Sequence, residues 1–158
     1  MRVRPAELDD LPRLMAIERQ SPGAAHWSER EYQALFPDPR ADEVVAPRRI
    51  CLVVEAASAV AGFVVALCLG QEWEIENIIV DPALLRQGCA TLLLRELLSR
   101  AAGEGAGRVL LEVRESNAAA RAFYARWGFQ TTGRRRKYYR DPEEDAVLLQ
   151  LTCISRSP

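Results

Sequence analysis

Apolar and polar positions change period several times along the chain, and each change marks an element. Between Leu8 and about Gln20, Leu11, Leu14, Met15 and Ile17 recur at helical spacing, and Asp9 or Asp10 can cap the start. Ser28-Glu-Arg-Glu31 has the form of a capping box, so a second, short helix is expected there, ending before Pro37. Ile50 to Glu55 and Val60 to Leu69 are β-rich runs joined by small residues, the pattern of an antiparallel hairpin. Glu72 to Val80 reads as a third strand, stopped by Asp81-Pro82.

Helical spacing then returns. Ala90, Leu93, Leu94, Leu97, Leu98 and Ala101 form one face, Arg95, Glu96 and Arg100 the other, and Gly103, Gly105 and Gly107 end the helix. Val109 to Val113 is a short strand of the buried type. Ser116-Asn117 can cap a helix running to Trp127, with Gly128 as its stop. Two strands close the pattern, one from Phe129 onward and one from Asp145 to Ile154. The order is α-α-β-β-β-α-β-α-β-β, an α/β (α+β) chain. Its strand–helix–strand unit predicts a right-handed parallel crossover within a mixed sheet.

Length and composition narrow the class. At 158 residues, 49% apolar and 27% charged, the chain has the size and balance of one globular domain. The net charge of −1 supplies no field that would draw it onto nucleic acid or an anionic membrane. The first residues lack the apolar core of a secretory signal. The longest run without a charge, Ala56 to Gln71, is shorter than the roughly 20 residues a spanning helix needs. Cys51, Cys68, Cys89 and Cys153 form no Cys-x-x-Cys pair, and His26 is the only histidine. Reduced thiols in a cytoplasmic protein are therefore expected, with no metal site.

Two segments carry candidate chemistry. Asp81 to Ala90 joins a strand to a helix start, where free N–H groups and Gly88 could hold a pyrophosphate beside Arg86; an ordinary strand-to-helix turn fits the same residues. Glu112 lies in an apolar, central strand, so its carboxylate is either ion-paired, with Arg114 or another base, or working. Tyr124 follows on the next helix, as a packed aromatic with its hydroxyl satisfied, and Asn117 precedes it as a cap. Glu72, Glu74 and Glu76 alternate, so one face of their strand is acidic: a solvated face, or a receiver for a basic peptide. Arg134, Arg135, Arg136, Lys137 and Arg140 read as a solvated basic hairpin or a contact with RNA or acidic protein. His26 reads as structural and Trp27 as packed on the core.

The stretches His26-Trp-Ser-Glu29, Asn77-Ile-Ile-Val-Asp-Pro82, Arg86-Gln-Gly88, Leu111-Glu-Val-Arg-Glu-Ser-Asn-Ala-Ala-Ala120, Tyr124 with Trp127-Gly-Phe129, Arg135-Arg-Lys-Tyr-Tyr139 and Glu144-Asp-Ala146 span nearly the whole chain. Together they resemble the GCN5-related N-acetyltransferase (GNAT) superfamily, and within it the RimI-type ribosomal-protein-alanine N-acetyltransferases. The resemblance implies a single acyl-CoA N-acyltransferase domain over 1–158, with a mixed sheet flanked by helices. It implies acetyl-CoA as cosubstrate and no metal. Ile78, Ile79 and Val80 would hold the acetyl and pantetheine part, Arg86, Gln87, Gly88, Cys89, Ala90 and Thr91 the pyrophosphate, and Asn117 the CoA arm. Glu112 and Tyr124 would be catalytic, and Glu74, Glu76 and Tyr138 would meet the acceptor. That acceptor would be a basic protein amino terminus, the N-terminal alanine of small-subunit ribosomal protein number eighteen. The loop departs from the family pattern in two places: Leu85 replaces the usual Gln or Arg, and Cys89-Ala90 the usual Leu-Gly. A GNAT enzyme with another acceptor, or a CoA- or ribosome-binding module without turnover, would carry many of the same residues.

Overall fold

A computed structural model describes residues 1–24, 26–37 and 47–153. In chain order the elements are β1 (Arg2–Pro5), a 3-10 turn (Leu8–Asp10), α1 (Leu11–Arg19), α2 (Glu29–Gln33), β2 (Arg48–Ala56), β3 (Ala59–Leu69), β4 (Glu72–Val80), a second 3-10 turn (Pro82–Leu84), α3 (Cys89–Gly103), β5 (Arg108–Arg114), α4 (Ala118–Arg126), β6 (Gln130–Tyr139) and β7 (Glu144–Thr152). The strands form one sheet in the order β1-β2-β3-β4-β5-β7-β6. Every neighbouring pair is antiparallel except β4–β5, which is parallel because α3 carries the chain back across the sheet.

Two apolar layers cover the sheet. On one face Leu93, Leu94, Leu97 and Ala101 of α3 pack with Leu52, Val64, Trp73, Val109 and Leu111. On the other, Leu14 and Ile17 of α1 and Tyr32 of α2 pack with Val53, Phe63, Val65 and Ile79. β3 runs between both layers, so its sequence is almost continuously apolar and does not alternate.

One irregularity shapes the centre. Opposite β3, Ala66 faces Ile75 and Val65 faces Asn77, so Glu76 is an extra residue, a β-bulge in β4. The bulge turns the strand over. Trp73 and Ile75 belong to the α3 layer, whereas beyond it Ile79 belongs to the α1 layer. β4 pairs with β5 only from Glu72↔Arg108 to Ile75↔Leu111. Past that point β4 continues along β3 to Val80 and β5 continues along β7 to Arg114, so the two strands part.

Several expectations need correction. β1 was not expected; it has a single apolar residue, Val3, and takes its register from β2. The first helix begins as a 3-10 turn, and Asp10, instead of capping α1, accepts the Glu7 N–H at 2.8 Å and a bidentate Arg4 at 2.7 and 2.9 Å. α3 includes Gly103, and β6 starts after Phe129, which is buried. The capping box at Ser28 and the Asn117 cap are formed as expected. The expected end of the last strand, Ile154, lies outside the described residues.

Candidate active site

Where β4 and β5 part, a cleft of about 580 Å³ opens through the sheet. Glu74 to Ile78 form one wall and Leu111 to Arg114 the other; Asn117, Ala120 and Tyr124 close one end, and Trp27, Tyr138 and Tyr139 the other. Val109, Leu111 and Val113 face the α3 layer, so Glu112 stands on the opposite face of β5. Tyr124 belongs to the α3 layer. A carboxylate and a phenol therefore approach one cavity from opposite faces of the sheet.

Glu112 is largely buried and its Oε1 lies 2.8 Å from Nε of Arg135, which is mostly exposed. The expected alternative partner, Arg114, turns instead to Glu144 at 3.5 Å and lies 4.3 Å over the Tyr139 ring. Tyr138 lines the cleft with Glu112, and the neighbouring Glu112 carboxylate holds its phenol above the ordinary pKa. Burial pushes Tyr139 up to about 12. Tyr124 sits edge-on to Phe123 and Phe129, with centroids 5.2 and 5.3 Å away, and burial alone drives its phenol well above the ordinary value. Its position is fixed by the end of α4, where Gly128 takes φ 88° and the Phe129 N–H returns to the Tyr124 carbonyl at 3.2 Å.

The acidic face of β4 is mostly neutralised. Glu72 pairs with Arg108, and Glu76 takes Arg49 in two bonds of 2.7 and 3.0 Å. Glu74 has no ion pair among the described residues; burial, then the Glu112 and Glu76 charges, raises its carboxyl pKa. Of the three, Glu74 brings the unpaired carboxylate to the cleft. The basic hairpin is likewise mostly paired, Arg134 with Glu115 and Lys137 with Glu143.

The backbone supplies the other functions. Asn117 accepts the Ala120 N–H at 3.1 Å, starting α4 at the cleft edge. Glu144 secures that turn by accepting the Ser116 N–H at 2.6 Å and its O–H at 2.9 Å, bonds that hold the Glu144 carboxyl below its ordinary pKa. Of the residues expected at the cofactor, Ile78 and Asn117 line the cleft; Ile79 is buried in the α1 layer, Val80 packs on the α3 layer, and Arg86 to Thr91 lie outside the cleft lining. The loop nevertheless leaves its backbone open. Arg86 and Gly88 take φ 62° and 88°, Arg86, Gln87 and Gly88 are exposed, and no side chain caps the 15-residue α3. Asp81 anchors the loop, accepting the Ala83 N–H at 2.8 Å and pairing with Arg13.

Two cleft residues, and one that pairs with a cleft residue, escaped the sequence reading. His26, read as structural, is exposed at the cleft with φ 53°. Asn77 is buried there and its Nδ2 has no partner among the described residues, which fits a site that receives a polar ligand. An amide in an apolar strand was the available signal, as for Glu112. Arg135 had no local signal, because its partner depends on the order β5-β7-β6. Among the described residues no His/Cys/Asp/Glu group could hold a metal, and no described helix is long and apolar enough to cross a membrane.

A mixed sheet split between parallel strands, covered by helices on both faces, is the acyl-CoA N-acyltransferase fold. The acetyltransferase (GNAT) family matches residues 11–129, and the chain belongs to that family and is an acetyltransferase. It is 33% identical over 147 residues, 92% of this chain and 93% of the relative, to the [ribosomal protein bS18]-alanine N-acetyltransferase of Escherichia coli (strain K12). It is 38% identical over 112 residues, 68% of this chain and 69% of the relative, to the N-alpha-acetyltransferase RimI of Mycobacterium tuberculosis (strain ATCC 25618 / H37Rv). The crystal structure of the ribosomal-protein-S18-alanine N-acetyltransferase from Escherichia coli superposes with a TM-score of 0.82 at 31% identity, covering 96% of this chain and 93% of that one.

Proposed function

We propose that this enzyme transfers acetyl from acetyl-CoA to the α-amine of a basic protein amino terminus, with the N-terminal alanine of ribosomal protein bS18 as the acceptor. The observation that carries the reading is the single cleft shared by Glu112 and Tyr124. The names of the relatives support the acceptor. The continuous sheet from β1 to β7 supports a single catalytic domain, and a ribosomal acceptor implies action in the cytoplasm.

Acetyl-CoA supplies the thioester carbon that the amine attacks. The uncapped start of α3, Arg86 to Thr91, would hold its pyrophosphate, and Asn117 its arm. The β4 edge at Ile78, Ile79 and Val80, released from β5 by the bulge, would hold the acetyl and pantetheine part and direct an N–H near Ile79 at the developing oxyanion. Glu112 would accept the ammonium proton, directly or through water, and Tyr124 would give a proton to the departing thiolate. An α-amine, with a pKa of about 7.7–8.0, costs about 1 kcal/mol to deprotonate at pH 7, against about 4–5 kcal/mol for lysine. The unpaired Glu74, with Glu76 and Tyr138, would meet the basic acceptor.

Acetyl transfer to a peptide with an N-terminal alanine tests the reading. Glu112→Gln and Tyr124→Phe, each checked for folding by circular dichroism, should lose about 10²- to 10⁴-fold in rate. Near-wild-type rates in both remove the catalytic assignment. Mass spectrometry of ribosomal proteins incubated with enzyme and acetyl-CoA should show modified amino termini; modification of internal lysines alone removes the acceptor assignment.

A further inference from the structure

We infer that Arg135 is the resting counter-ion of Glu112 and that the acceptor's ammonium takes its place on binding. The inference rests on Glu112 being the base of the proposed function.

β6 is built to deliver this contact. It loses register with β7 between Arg135 and Tyr139, Lys137 takes φ 52°, and the Lys137 N–H bonds to Asp145 Oδ1 at 2.9 Å. Residues three apart on a regular strand point to opposite faces. Arg135 and Tyr138 are three apart, yet Arg135 pairs with Glu112, Tyr138 lines the cleft that Glu112 lines, and the Arg135 guanidinium lies 5.7 Å from the Tyr138 ring centroid. The irregular stretch turns both side chains toward the Glu112 end of the cleft. The flanking bases of the hairpin take partners outside the cleft: Glu115 for Arg134 and Glu143 for Lys137.

Arg135 occupies Glu112 Oε1, so an ammonium that takes that oxygen displaces the guanidinium. Glu112 is fixed in β5, between β4 and β7, and its side chain is 16% exposed, against 58% for Arg135. Arg135 is the long, solvated partner and withdraws at little cost. The exchange is charge for charge: one cation leaves the Glu112 and Glu74 carboxylates and another arrives. It favours an acceptor that enters as an ammonium and loses its proton in place. An exposed pair of this kind is worth a factor of about 1.5 to 5 in an equilibrium constant.

The test is calorimetric binding of a peptide that begins with alanine and continues with arginines to the CoA-loaded protein, where no acetyl transfer occurs. Arg135→Met should lower the peptide Kd about two- to fivefold, and Arg135→Gln should do the same. Arg136→Met removes an equal charge from the same hairpin without touching Glu112 and should change Kd less. In a Glu112→Gln background, Arg135→Met should have no effect. Unchanged or weaker binding in both Arg135 variants, or an equal gain in the Glu112→Gln background, overturns the exchange. Rates separate this from the base assignment. A near-wild-type rate in Glu112→Gln removes base and exchange together, whereas a lost rate with unchanged affinity in both Arg135 variants overturns the exchange alone.

Discussion

Gly62 provides a test of the architecture in which the sign of the effect decides. It lies on β3 opposite Val80, where a Cβ would sit 2.7 Å from the Ile79 carbonyl oxygen and 3.1 Å from the Val80 Cα. Both obstacles are backbone, so no rotamer change relieves the contact. Overpacking of this kind costs about 1–3 kcal/mol. Alanine in a strand otherwise gains about 0.5–1 kcal/mol over glycine through chain entropy. The contact prevails, and Gly62→Ala should be destabilised by about 1–2 kcal/mol. For a chain of this size that lowers Tm by about 2–8 °C in a thermal melt. The displaced atoms belong to the β4 edge proposed to hold the acetyl arm, and small misplacements at a reacting centre are costly. KM for acetyl-CoA should therefore rise by about tenfold or more, with a smaller change for the acceptor. A Tm equal to or above that of the unsubstituted protein, with an unchanged acetyl-CoA KM, would refute the close approach of β3 and β4 at the site.

Two further outcomes follow from charge placement. Burial and the Glu112 and Glu76 charges raise the Glu74 carboxyl, so its contribution to stability is intact below the unfolded value of about 4.3 and is lost as pH rises through the folded value. Glu74→Gln should melt higher than the parent protein at pH 7, lose that advantage near pH 4, and bind a basic acceptor peptide more weakly. Arg4 and the Glu7 N–H hold Asp10 below its ordinary pKa, so its contribution is present above about 3.9 and is lost as pH falls through the folded value. Asp10→Asn should lower Tm at pH 7, with the difference narrowing in melts below pH 4.

Elements coded by local signals were legible in the sequence. The Leu93, Leu94, Leu97 stripe of α3 and the caps at Ser28 and Asn117 depend on residues within a turn or two of one another. β1 depends on pairing with a strand about fifty residues away and has almost no pattern of its own. The bulge at Glu76 was hidden for a different reason. Burial alternates without a break from Glu72 to Val80, while the face being buried changes at Glu76, because both faces of the sheet are covered. The alternation expected to make one acidic ladder therefore has a register break within it. Glu112 was visible as a carboxylate in an apolar strand, but its pairing with Arg135 required the strand order. That Tyr124 shares its cavity came from family resemblance; periodicity alone left it a packed aromatic.

In the proposed reaction the two groups that handle protons occupy contrasting settings. Glu112 faces the Arg135 guanidinium and shares the cleft with Tyr138 and the Glu74 carboxylate on the proposed acceptor face. Tyr124 is enclosed by Phe123 and Phe129 on the other face, and its shift comes from burial alone. An ordinary phenol, at about 10, gives its proton to an ordinary thiolate, at about 8.5, only uphill by about 2 kcal/mol. Burial makes the phenol a weaker acid still, which by itself would widen the gap. The departing sulfur, however, would lie in the same cleft, between Leu111 and Val113 on one wall and Ile78 and Ala120 nearby. A thiolate that loses its hydration there becomes a stronger base for the same reason that the phenol becomes a weaker acid. Only the difference between the two burials enters the transfer. The apolar walls that β4 and β5 present after they part would thus be part of the proposed proton-donating machinery, and the Glu76 bulge that separates them would shape both halves of the proposed chemistry.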